Sequence, residues 1–117
     1  DDVPESDLIQ AWTMLDLARV ILEEISCETI EKVYVLSSLA EVALELDDVE
    51  ASVSDYLKAL SLLERIEVPD SCHLADLNFR LCLCLEMDSR APEAIPYCQK
   101  AISICKSRVA RLVEHVK

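Results

Sequence analysis

The sequence predicts an all-α fold, and three observations carry that prediction. The 117 residues contain no glycine and only four prolines, which removes the Asn-Gly and Asp-Gly turns that build tight hairpins. Leu, Ala, Glu and Ser dominate, a composition that favours helix over strand. Apolar residues recur at steps of three and four along nearly the whole chain, the period of an amphipathic helix.

The first helix is expected over about 7–25. Leu8, Ala11, Trp12, Leu15, Ala18, Leu22 and Ile25 form its apolar stripe, and Ser6 is available as N-cap. The second runs from about Thr29 to Leu46 on Val33, Leu36, Leu39, Ala40, Ala43 and Leu44, and ends at Asp47-Asp48. The third spans about Val49–Ile66. Pro69 then breaks the pattern, with Asp70 and Ser71 able to cap a fourth helix over about 72–87. Asp88-Ser89-Arg90 makes the last turn. The fifth helix starts near Pro92, a residue suited to a first helical turn, and continues to the end. Ile95, Cys98, Ile102, Cys105, Val109, Leu112 and Val116 form a seven-residue seam along it. Such a seam packs on another helix, so this long element is expected to cover one end of the domain. Pro96, inside the first two turns, predicts a local kink.

At 13.1 kDa the chain fits one domain or a piece of one. Without glycine there is no Walker phosphate loop, dinucleotide fingerprint or nucleophile elbow, since each needs glycine backbone geometry. The net charge of −12 is one-sided: residues 1–50 hold fourteen acids against Arg19 and Lys32, whereas residues 51–117 are balanced. Such a field repels phosphate and attracts cations, which argues against direct nucleic-acid binding. The chain shows no signal peptide and no apolar run near membrane-spanning length. A soluble protein in a reducing compartment is expected, with no membrane partner. Cys27, Cys72, Cys82, Cys84, Cys98 and Cys105 mostly fall in apolar helical patterns, as small core residues. Cys82-x-Cys84 lacks zinc spacing, and His73 and His115 have no companion ligands. No metal, cofactor or catalytic group is expected, and the chain is not read as an enzyme.

Helices of this length joined by short turns invite a repeat search. Leu39-Ala40 is followed by Ser52, Tyr56 and Ala59, and Leu81-Cys82 by Ala94, Cys98 and Ala101, in matching register. Ala11, Leu15 and Ala18 repeat the second half of this pattern alone. Small residues let paired helices approach, and the large one fills the gap between them. This spacing resembles the tetratricopeptide repeat: a half repeat (7–25), two repeats (29–66 and 72–105) and an extended capping helix (106–117). The step from Ala40 to Cys82 is 42 residues against the usual ~34, implying an expanded connection around Leu62–His73.

The string Ala11-Trp12-Thr13-Met14-Leu15-Asp16-Leu17-Ala18 after an acidic lead, Glu41-Val42 after Leu39-Ala40, and Glu93-Ala94-Ile95 together resemble the nuclear autoantigenic sperm protein family. These are the SHNi-type tetratricopeptide histone chaperones, and the likeness is greatest to plant members. It extends over nearly all 117 residues, with Ala40 and Cys82 standing where the family has glycines. The resemblance implies a first repeat absent from this chain and an acidic tract before the opening helix. It implies binding of histone H3, alone or as the H3–H4 dimer, until handover for nucleosome assembly, and a nuclear location with a cytoplasmic pool.

On such a scaffold the first helix of each pair lines the groove. That places Tyr34, Ser37, Glu41, Leu44 and Glu45, then Asp76, Phe79, Leu83 and Glu86, toward a ligand. Carboxylates can accept hydrogen bonds from Arg or Lys while Phe79 and Leu83 pack on apolar side chains, which suits a basic amphipathic segment. Glu41 and Glu45 read equally as a solvated helix face, Phe79 as core, and Asp16 as groove rim or plain surface. Trp12 is expected to pack between repeats. Two other readings stand beside the chaperone. A cochaperone groove for acidic heat-shock tails would need cations, and Arg80 alone supplies one. A self-assembly module would use the opening helix and the terminal seam, giving a homo-oligomer.

Overall fold

The computed structural model describes residues 4–24 and 28–116. It is all-α among these: α1 Glu5–Glu24, α2 Ile30–Glu45, α3 Val49–Ile66, α4 Cys72–Met87 and α5 Ala91–Val116. The expected Ile25 and Cys27, the opening Asp1 and Asp2, and Lys117 lie outside the described residues. The substantial packing is between helices adjacent in sequence: α1 on α2, α2 on α3, α3 on α4 and α4 on α5. This serial packing makes an elongated body, 53 × 37 × 24 Å with a radius of gyration of 15.7 Å. A spherical domain of this length would have about 13 Å.

Local chemistry explains the boundaries. Thr29, Asp48 and Ser71 each take a backbone N–H at the start of their helices, from Lys32, Ala51 and His73. α1 departs from expectation: it begins at Glu5, where the Pro4 carbonyl accepts from the Asp7 and Leu8 amides, so Ser6 lies inside the first turn. Two helix ends are nearly superimposable in their bonding. Asp47 and Ser89 take left-handed φ values of 62° and 58° just past α2 and α4. The following amides of Asp48 and Arg90 reach back to Ala43 and Leu85, each at 2.8 Å. These turns recur 42 residues apart, as the small residues do. In a chain without glycine, Asp and Ser carry the left-handed conformation at a modest energetic cost.

The expanded connection is relocated by the structure. α3 runs unbroken through Ile66 and only residues 67–71 link it to α4, so the added length lies in the helices. Helix continuation satisfies backbone groups that a longer loop would leave to water. Pro96 does not end α5, which is helical from Ala91 to Val116.

The small-residue register forms the core. Ala40, Ser52, Ala59 and Leu81 are fully enclosed, and Cys82, Ala94 and Ala101 are buried. Tyr56, 2% exposed, fills the space between α2, α3 and α4. The Ser52 hydroxyl lies 3.6 Å from the Cys84 sulfur, and Asn78 donates to the Leu74 carbonyl at 2.8 Å, so these buried polar groups are satisfied.

Three packing expectations are corrected. α1, which rests on α2, contains no buried residue: Leu8, Ala11, Leu15, Ala18 and Leu22 are its half-buried apolar side chains, and Trp12 is 39% exposed, off that stripe. Cys72 and Cys105 are exposed; Cys82 and Cys84 are buried and Cys98 is intermediate. The seam of α5 faces outward except at Cys98, with Ile95, Ile102, Cys105, Val109, Leu112 and Val116 all exposed. α5 packs instead through Ala94, Tyr97, Cys98, Ala101 and Ile104. A one-position rotation of the helix face, about 100°, separates the two stripes.

Candidate functional site

The candidate residues on α2 and α4 come together because both helices bury one stripe against α3 and leave the adjacent stripe open. On α2, Val33, Leu36, Ala40 and Ala43 point inward, whereas Tyr34, Glu41 and Glu45 are exposed and Leu44 is half-buried against the core. On α4, Leu74, Leu77, Leu81 and Leu85 point inward, whereas Asp76, Phe79 and Leu83 are exposed.

Three adjoining depressions share these side chains. One, of about 440 Å³, brings Glu41, Leu44, Glu45 and Leu83 together with Arg80 and Met87 over the Tyr56 ring. The next, about 220 Å³, is lined by Tyr34, Ser37, Glu41, His73, Asp76 and Arg80. Here the Tyr34 and His73 rings meet edge to face with centroids 6.3 Å apart. The third and largest, about 720 Å³, lies between α4 and α5 and is almost wholly apolar. Ala75, Phe79, Ala101, Ile102, Cys105 and Val109 form it, with Asp76 and Lys106 at its edges.

Arg80 organises the junction. Its Nη1 donates to Glu41 at 3.0 Å and its Nε to Asp76 at 2.9 Å, tying α2 to α4. The Asp76 hydrogen bond, above all, raises the guanidinium pKa above its ordinary value. Tyr56 in turn has its phenol pKa raised, chiefly by burial. Two of the carboxylates expected to meet a ligand are therefore already engaged. Glu45, four residues from Glu41 on the same face, has no ion-pair partner among the described residues.

Asp16 is not brought to this set. It pairs with Arg19 at 2.7 Å, and that pair lies in the field of Asp55 on α3, whose carboxyl pKa is raised chiefly by burial. The contribution of α5 was missed in sequence. Ile102, Cys105 and Val109 belong to the seven-residue seam, so the signal was present, but the seam alone does not say that it borders Phe79.

The α5 extension is held in place at the α3–α4 connection. Arg111 donates to the Asp70 carboxylate and Arg108 to the Asp70 carbonyl at 3.4 Å. The hydrogen bond from Arg111 holds the Asp70 carboxyl below the usual carboxylate range. Among the described residues no three His, Cys, Asp or Glu side chains cluster to hold a metal ion, and no helix is long and apolar enough to cross a membrane. Chemically, the surface offers carboxylate acceptors at one end and an apolar trough at the other, the pattern that receives an amphipathic cationic segment. No protein-family profile matches this chain, and no curated protein matches it.

Proposed function

We propose that this chain is a tetratricopeptide-type histone chaperone of the nuclear autoantigenic sperm protein kind, which holds a segment of histone H3, alone or as the H3–H4 dimer, along the α2–α4–α5 surface. The observation that carries the reading is that the Glu41–Glu45 depression and the apolar trough of Phe79, Ile102 and Val109 are joined through a third depression, which shares Glu41 and Arg80 with the first and Asp76 with the trough. A histone segment presents Arg and Lys beside apolar side chains, so one surface answers both. The apolar end supplies affinity by burial, and the carboxylates speed encounter and fix orientation. The 42-residue recurrence of left-handed turns and small core residues supports a helical-repeat scaffold.

Chaperoning by such a surface needs no nucleotide. It covers cationic histone surface that would otherwise meet DNA, and releases it by mass action when a stronger site is offered. A nuclear location with a cytoplasmic pool follows from the reading.

The test is isothermal titration with a synthetic H3 C-terminal peptide at two salt concentrations, with an acidic heat-shock tail peptide as control. The expected result is binding of the H3 peptide alone, largely retained at high salt because the surface of the trough is almost wholly apolar. Weak binding abolished by salt would refute it and favour the second reading, self-assembly through the exposed seam of α5, which leaves Ile95, Ile102, Val109, Leu112 and Val116 uncovered.

A further inference from the structure

We propose that Arg80 is an internal competitor that fixes the charge pattern of the accepted segment: by filling the Glu41–Asp76 carboxylate pair it directs a ligand cation to Glu45 and discriminates against polybasic chains. This rests on the reading of the α2–α4 surface as a cation-accepting groove.

The argument is one of geometry and charge. Glu41 and Asp76 stand 35 residues apart in sequence but within reach of one guanidinium, at 3.0 and 2.9 Å. Left to themselves, the two carboxylates would form a doubly negative pocket open to any lysine or arginine. Arg80 lowers that pocket to a single net charge, and does so as a tethered group that a ligand must displace. Its two hydrogen bonds, to carboxylates on different helices, hold the guanidinium in place beside Tyr56, which is enclosed in the core. Glu45 lies beyond its hydrogen bonds, beside Leu44 and Leu83. A segment with one cation next to apolar side chains can use Glu45 and the apolar wall together. A uniformly basic segment finds the next acceptors occupied. Specificity of this kind comes from weakening the wrong ligand more than from strengthening the right one.

The experiment titrates an oligolysine peptide and the synthetic H3 C-terminal peptide into the wild type, Arg80→Gln and Arg80→Lys, with helicity checked by circular dichroism. Arg80→Gln is expected to tighten oligolysine binding about fivefold at low salt, with a steeper salt dependence, and to change the H3 peptide less. Arg80→Lys, which keeps the charge but cannot span both carboxylates, should give a smaller gain. Glu41→Gln should cost more oligolysine affinity in the Arg80→Gln background than in the wild type, the coupling expected if Arg80 occupies Glu41. Unchanged or weaker oligolysine binding by Arg80→Gln, with the H3 peptide still bound, would overturn this inference and leave the groove reading standing. Binding of neither peptide to any of the proteins would overturn both.

Discussion

Phe79 and Leu81 lie two residues apart on α4 and should respond to truncation in opposite ways. Leu81 is 0% exposed and sits in the core, so Leu81→Ala should cost about 2–5 kcal/mol of folding stability through lost burial and the cavity left behind. Phe79 is 49% exposed at the edge of the trough. A phenylalanine side chain offers roughly 200 Å² of surface. About half of this, ~100 Å², remains for a ligand to cover, worth about 2.5 kcal/mol at ~25 cal/mol/Å². The Cβ retained in Phe79→Ala reduces the loss to about 2 kcal/mol, or roughly thirtyfold in affinity. The same substitution should lower stability by less than Leu81→Ala, because half of the ring already faces water in the free protein. The assays are thermal unfolding by circular dichroism and titration with the H3 C-terminal peptide. If Phe79→Ala binds as tightly as the wild type, the trough is not the apolar anchor. If it unfolds as readily as Leu81→Ala, Phe79 is a core residue and the exposed-face argument is wrong.

Two further outcomes follow from the charges. Glu45→Lys should weaken H3-peptide binding about fivefold at low salt and less at high salt, with helicity unchanged, since Glu45 is the exposed carboxylate left unpaired by Arg80; equal loss at both salt levels would contradict an electrostatic role. Asp70 and Glu93 are both held below the usual carboxylate range, by hydrogen bonds from Arg111 and Arg90 respectively. A carboxyl whose pKa is lower when folded binds fewer protons in the folded than in the unfolded state. Its stabilisation is thus present at neutral pH and lost as pH falls below about 4, through the lowered folded value. Melting temperature should fall over that window, and Asp70→Asn should flatten part of the slope; an identical acid profile for the variant would remove Asp70 from the account.

Local sequence chemistry determined the helices and their register by itself. Three- and four-residue spacing, the capping side chains Thr29, Asp48 and Ser71, and the recurrence of Ala40, Ser52 and Ala59 as Cys82, Ala94 and Ala101 are short-range signals, and the core is built on them. The exposed α2 and α4 faces were legible for the same reason, since a helix that buries one stripe must present the next. The tertiary structure alone decided what depends on how far each helix is rotated about its axis and what stands opposite it. It turned Ala101 and Ile104 of α5 inward and left Ile102 and Val109 at the trough, a rotation that a seven-residue seam does not specify. It left Trp12 at the surface and kept Asp16 with Arg19, away from the residues lining the groove. It also placed Arg80 between Glu41 and Asp76, a contact spanning 39 residues that no periodicity records, because an ion pair across two helices is set by their separation and not by spacing along the chain.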